Sequence, residues 1–182
     1  MRRRTDRQAI EQFLQRLGRR FPMPGRLFLV GGTTMVYEGF RRQTLEFDIT
    51  FEVADEHHST FVAAVRDLKE QLSLNIEEVS PAKFIPLPSG HQERSQCIGR
   101  YGQLDVFHFD LYSTALSKIE RGTESDFDDV LTLLNDGRLE LSLLIQYFDE
   151  IMARYATQSL KQDLMEYRRK LEILKEMYQS RL

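Results

Sequence analysis

The sequence predicts an α/β (α+β) fold: a mixed sheet with helices packed on it in residues 1–135, then a helical C-terminal segment in 136–182. Three observations predict it. Residues 45–53, Leu-Glu-Phe-Asp-Ile-Thr-Phe-Glu-Val, alternate apolar and polar without a break, which suits a strand with one buried face. Helical spacing appears before it (Ile10, Phe13, Leu14, Leu17) and after it (Phe61, Val65, Leu68, Leu72). From about residue 140 the pattern is helical only, with no further strand signal.

The elements follow in order. Thr5 and Gln8 form a T-x-x-Q capping box for the first helix, and Gly18 is its expected stop. Residues 26–30, Arg-Leu-Phe-Leu-Val, end in Gly31-Gly32 and read as a short strand, followed by a short helix over 33–40. The alternating strand at 45–53, a helix over 56–72 and a weak strand at 75–79 come next. Residues 80–94 carry Pro81, Pro86, Pro88 and Gly90, the longest irregular stretch and one of the kind that often serves function. Residues 96–112 read as a hairpin turning near Tyr101–Gln103. A helix from about Ser113 breaks near Gly122 and restarts with Ser125 as cap. After the turn at Asn135–Arg138, two helices are expected over 140–154 and 158–179. The last carries a stripe of Leu160, Leu164, Tyr167, Leu171, Leu174 and Tyr178, which suits core packing or the seam of a homodimer through the C-terminal helices.

Composition narrows the class. With 41% hydrophobic and 29% charged residues the chain reads as globular rather than disordered. It has no run of about 18 apolar residues, so no membrane span is expected. The basic start Met1–Gln8 is not followed by an apolar segment, so no secretory signal is expected and the anticipated location is cytoplasmic. The single cysteine, Cys97, excludes an internal disulfide and a Cys-rich zinc site and is expected in the core. His57, His58, His91 and His108 show no metal-ligand spacing with it. The net charge of −3 is unevenly spread: residues 1–42 hold ten arginines against three acids, a balance of +7, leaving −10 for the rest. Such a basic end is either a solvated surface or the footprint of a polyanion.

Chemistry concentrates in two stretches. On the alternating strand Glu46, Asp48, Thr50 and Glu52 share one face, with neighbours on that face about 6.6 Å apart along the backbone. Two such carboxylates can lean onto one hard cation, which takes oxygen ligands and bridges to phosphates. Gly31-Gly32-Thr33 sits between a strand and a helix, where glycine lets backbone N–H groups approach a phosphate. No Lys-Ser/Thr follows the glycines, so this is not a Walker loop. Asp105 and Asp110 lie on a neighbouring strand candidate with opposite parity, and parity alone does not choose between them.

The stretch 30–49, Val-Gly-Gly-Thr-Thr-Met-Val-Tyr-Glu-Gly-Phe-Arg-Arg-Gln-Thr-Leu-Glu-Phe-Asp-Ile, resembles the glycine-pair and R-x-T-x-D-I-D core of the polymerase-beta-like minimal nucleotidyltransferases. It is most similar to the bacterial branch that includes abortive-infection toxin-type nucleotidyltransferases and related uncharacterised proteins. A second block, 109–134, resembles that branch's helical element with a lysine ahead of a D-x-x-D pair. The resemblance covers roughly residues 25–135 and implies a mixed-sheet nucleotidyltransferase fold. It further implies Mg²⁺- or Mn²⁺-dependent transfer of a nucleotide from an NTP to an acceptor hydroxyl on RNA, protein or a small molecule. By that resemblance Gly31, Gly32 and Thr33 would hold the triphosphate, and Arg42 and Thr44 match the R-x-T. Glu46 and Asp48 take the two metal-binding acid positions. Asp105 is the choice for the third acid, as metal ligand or base. Lys118 would contact phosphates, and Asp126 and Asp129 match the D-x-x-D.

One departure matters. The family's first acid is usually Asp, and here it is Glu46, whose extra methylene moves the carboxylate by about 1.5 Å. A misplacement of about 1 Å can cost around a hundredfold in rate. Two functional readings therefore stand side by side: an active transferase with an RNA acceptor such as a tRNA end, or a module that binds nucleotide or RNA without turnover. By the resemblance alone, the first would extend to a toxin with an antitoxin partner.

Overall fold

The structure is a computed structural model and describes residues 3–155 and 163–180. The chain divides into two compact units, one of residues 1–80 and 95–109, the other of 81–94 and 110–182. The boundary expected at 135/136 therefore falls inside the second unit, because the helices on both sides of it pack together there.

The first unit holds a five-stranded sheet. Its strands are β1 (Gly25–Leu29), β2 (Phe47–Val53), β3 (Ile76–Glu78), β4 (Gln96–Tyr101) and β5 (Leu104–His108) in the order β3-β2-β1-β5-β4. β1 runs antiparallel to β2 and parallel to β5, so the sheet is mixed, as expected. Helices α1 (Arg7–Arg20) and α3 (Asp55–Gln71) cover one face, and the short α2 (Gly32–Tyr37) follows β1. Phe13, Leu17 and Phe21 from the α1 region meet Leu27, Leu29, Phe47, Ile49, Val106 and the α3 residues Phe61 and Leu68 in one core. Fully burying each such side chain contributes about 1.5–3 kcal/mol.

Several local expectations shift by a residue or two, each for a physical reason. Asp6 caps α1 by accepting from the Ala9 N–H at 2.8 Å, while Thr5 pairs through its backbone with Thr44. Helix α1 runs through Gly18 instead of stopping there. A Cβ at Gly18 would collide with the Tyr101 carbonyl in the β4–β5 turn, so this glycine permits close approach. Thr123, not Ser125, caps α6 (Glu124–Asn135) by accepting from the Asp126 N–H. Strand β2 begins at Phe47, which leaves Glu46 exposed and Leu45 at 64% exposure, so the oily face is two residues shorter at its start. Cys97 is exposed because β4 is an edge strand.

The second unit is helical. It contains a helical turn at Pro81–Lys83, α4 (His91–Arg94), α5 (Leu111–Arg121), α6, α7 (Leu141–Tyr155) and α8 (Leu164–Gln179). Gly122 ends α5 in the left-handed region, φ +69°. Of the expected C-terminal stripe, Tyr167, Leu171 and Leu174 are buried within this unit; Leu160 lies outside the described residues. Tyr167 packs edge-on to Phe148 at 4.7 Å and donates its hydroxyl to the Leu116 carbonyl at 3.0 Å. Those three residues are therefore spent on this unit's own core, while Leu164 and Tyr178 are partly exposed. The 80–94 stretch is strapped down: Tyr155 donates to the Phe84 carbonyl, Arg154 to that of Leu87, and Ser89 to Glu150 through both N–H and hydroxyl.

Candidate functional site

The Gly31–Gly32 turn leaves the end of β1 beside the start of β2. Gly31 has φ +57°, a conformation that favours glycine, and a Cβ there would lie 3.5 Å from Asp48 Oδ2. Two hydrogen bonds stitch the turn to the acidic strand. The Val30 N–H donates to the Asp48 carbonyl at 3.1 Å, and the Asp48 N–H donates to Thr33 Oγ1 at 2.8 Å. Thr33 is fully buried, so its hydroxyl positions Asp48 rather than facing a ligand. Thr44 packs against the turn as well: its Oγ1 lies 2.9 Å from where a Gly32 Cβ would be, so any side chain there would have to push the Thr44 hydroxyl aside. An Arg41 guanidinium nitrogen lies 4.0 Å from the same point, and Arg42 is exposed. Thus Gly31, Gly32, Thr33, Thr44 and Asp48 come together. Glu46, one residue ahead of β2, is exposed.

Asp105 is not brought to this place, and its expected role as third acid is corrected. The register puts it beside Arg26, which pairs with Glu52. Glu52 is four residues along β2 from Asp48, about 13 Å. There Asp105 belongs to a row of alternating charge across four strands, Glu52–Arg26–Asp105–Arg100, with Arg26–Glu52 and Arg100–Asp105 ion pairs, the latter at 3.5 Å. On the same sheet face, Phe107 of β5 and Phe109 just past its end lie nearer to Asp48. Phe107 stacks on Phe28 at 5.4 Å, and Phe109 packs edge-on to it at 5.8 Å.

Asp110, the other acid left open by parity, is saturated. It is 1% exposed, caps α5 by accepting from the Tyr112 and Ser113 N–H groups, and takes a bidentate pair from Arg94 at 3.0 and 2.9 Å. Lys118, expected to contact phosphates, is 4% exposed and donates to Asp129 at 2.7 Å and to Asp126 at 3.2 Å. Arg121 and Thr123 also donate to Asp126. Burial alone would raise the Asp126 carboxyl, but these hydrogen bonds and the nearby Lys118 and Arg121 charges hold it below the ordinary aspartate range. The lysine and the D-x-x-D pair therefore neutralise one another inside the second unit.

Two residues passed over in the sequence stand behind the turn. His108, 2% exposed at the end of β5, has Nδ1 3.2 Å from Thr34 Oγ1 and Nε2 2.7 Å from Glu38 Oε1. The Thr34 hydroxyl in turn donates to the Leu29 carbonyl at 3.0 Å, so the ring is tied to β1 on one side and to Glu38 on the other. This chain of bonds fixes α2 to β1 and β5 from the face opposite Asp48. The available signal was a histidine standing at an inward position between Val106 and the buried helix start.

Among the described residues no group of three or more His, Cys, Asp or Glu side chains converges as a metal cage. Asp48 and Glu46 still offer the donor chemistry a hard cation needs when substrate phosphates complete its shell, since Mg²⁺ is commonly held by one or two carboxylates plus phosphate oxygens. Among the described residues, no helix is long and apolar enough to cross a membrane.

Compared with known proteins, residues 8–179 match the model of the family described as "Nucleotidyltransferase of unknown function (DUF6036)". No curated protein and no solved structure matches the chain.

Proposed function

Because the chain belongs to this nucleotidyltransferase family of unknown function, we propose that it transfers a nucleotide from an NTP to an acceptor hydroxyl, with the triphosphate at the Gly31–Gly32 turn. The observation that carries this reading is the stitched turn: Asp48 Oδ2 abuts Gly31, and the Asp48 backbone is held by Thr33 Oγ1 and the Val30 N–H. Carboxylate and phosphate-accepting backbone are thus fixed to one another before any ligand arrives, which is what phosphoryl-type transfer asks of a protein. Asp48 and Glu46 are the residues that would hold Mg²⁺ or Mn²⁺. The ion, when bound, neutralises charge on the triphosphate and its leaving group. Gly31 and Gly32 admit the phosphates close to the backbone, Arg42 is placed to add charge from the exposed side, and His108 with Glu38 keeps the turn from shifting. RNA is the favoured acceptor because the basic residues cluster in this part of the chain. A toxin role with an antitoxin partner rests on the resemblance alone.

A second reading has its own observation. Phe107 on β5 and Phe109 just past its end occupy the positions nearest Asp48 on its face, and Asp105 stands about 13 Å along the sheet. Without a third carboxylate to activate the acceptor, the site would bind nucleotide without turnover. Incorporation of labelled NTPs into total RNA and protein separates the two readings. The transferase reading expects metal-dependent product from the wild type and none from Asp48→Ala. Metal-dependent nucleotide binding without product supports the second. Glu46→Asp sharpens the result: lower activity means the site is adapted to Glu, and higher activity means Glu46 impairs it.

A further inference from the structure

The exposed face of α1 carries positive charge that is only partly paired among the described residues. Its acids are engaged: Asp6 caps the helix and pairs with Arg3 at 3.3 Å, and Glu11 accepts from the Tyr101 hydroxyl at 2.7 Å. Two of its arginines are engaged as well. Arg20 pairs with Asp67 at 2.6 Å, and Arg7 lies over the Tyr37 ring at 4.8 Å. Arg4, just ahead of the helix, and Arg16 and Arg19 on it are exposed and make no ion pair among the described residues. Between them Gln8, Gln12 and Gln15 line a polar groove of about 530 Å³ with Arg3 and Glu11.

The chemistry of this face selects its partner. Every apolar residue of α1 (Ala9, Ile10, Phe13, Leu14 and Leu17) is buried, so the outer face has nothing to insert into a bilayer and no aromatic anchor for a protein. What it offers is guanidinium groups for phosphates and amide groups that both donate and accept, the combination that suits a nucleic acid backbone and its 2′-hydroxyls. The segment just ahead of α1 is also tied to the residues that lead into the candidate site. Thr5, beside Arg4, exchanges backbone hydrogen bonds of 2.8 and 2.9 Å with Thr44, and Thr44 packs on Gly32. The exposed Arg42 lies two residues before Thr44. The 14-residue helix is about 21 Å long, room for about six nucleotides of stacked strand.

We propose that the outer face of α1 docks single-stranded RNA, held by Arg4, Arg16 and Arg19, with one end of the strand directed to the Gly31–Gly32 turn. Only that direction rests on the transferase reading; the binding does not. The test is fluorescence anisotropy of a labelled oligouridylate of about twelve nucleotides with the full chain, without NTP or metal, from about 50 to 200 mM salt. The triple variant Arg4→Ala/Arg16→Ala/Arg19→Ala is expected to bind at least about tenfold more weakly at low salt. Its slope of log affinity against log salt flattens by about 2, since each lost phosphate contact on a single strand removes about 0.7. The matching triple Lys variant keeps the slope, which separates charge from packing. Asp48→Ala binds RNA as the wild type does, and wild-type RNA binding with no NTP-dependent transfer counts against the transferase reading alone. No RNA binding by the wild type at low salt, an unchanged slope in the triple Ala variant, or tighter binding to phosphatidylserine vesicles than to RNA overturns the docking proposal.

Discussion

The two units hold similar charged groups under opposite conditions. In the second unit Lys118, Asp126 and Asp129 are buried and satisfy one another, with Arg121 and Thr123 completing the set. In the first unit Asp48 is half-buried at the edge of a glycine turn, and Glu46 and Arg42 beside it are exposed. Both places match motifs in the sequence, but the second is sealed in the interior of its unit while the first lies at a half-buried turn with exposed charges beside it. Two stretches of one resemblance therefore end in different surroundings: one set of charges is packed inside a helical unit, and the other stands at the rim of a glycine turn.

The largest expected effect of testing this contrast is on stability. Lys118→Ala leaves two buried carboxylates without their central cation, and removing one partner of a buried pair costs about 3–5 kcal/mol. Chemical denaturation of wild type and variant measures it. A cost below about 1 kcal/mol would mean that the network is wet and Lys118 is available to phosphates after all.

Acid should probe the same network from the proton side. The folded Asp126 carboxyl sits below its ordinary value, so its contribution is present above the unfolded carboxylate range and is lost as pH falls through the depressed folded value. Thermal melts taken downward from about pH 5 should show the wild type losing stability more steeply than Asp126→Asn. Parallel profiles would remove Asp126 from the account of acid sensitivity.

In the first unit the expected effects move from stability to function. Asp48→Ala should change unfolding free energy by no more than about 1 kcal/mol, because the strand keeps its backbone bonds and the lost side chain is half-buried. A much larger loss would make Asp48 a structural acid of the same kind as Asp129. The smallest effect is expected for Asp105→Asn. Its partner Arg100 is 62% exposed, and pairs of that sort contribute about 0–1 kcal/mol. Asp105→Asn should also leave nucleotide binding unchanged.

These contrasts trace what the sequence made legible. The strand and helix periods were readable because burial selects residue types along each element: Leu27 and Leu29 on β1, Phe47 and Ile49 on β2 and Val106 on β5 all face one core. The glycine turn and Asp48 were readable because their spacing is short and local. Asp105 was misplaced because choosing it needs the β1–β5 register, which is set by long-range pairing and not by the alternation within β5. Lys118 was misread because a helical lysine among polar residues looks the same whether it faces solvent or two aspartates brought in by the next helix. His108 and Glu38 were missed because they are 70 residues apart and meet only once α2 and β5 lie side by side.

The most direct test of the central claim is calorimetric titration of an NTP with Mg²⁺ into wild type, Asp48→Ala and Asp105→Asn. The account predicts metal-dependent binding in the wild type, its loss in Asp48→Ala and its full retention in Asp105→Asn. Unchanged binding in Asp48→Ala, or equal loss in both variants, would contradict a nucleotide site built on the Gly31–Gly32 turn and the start of β2.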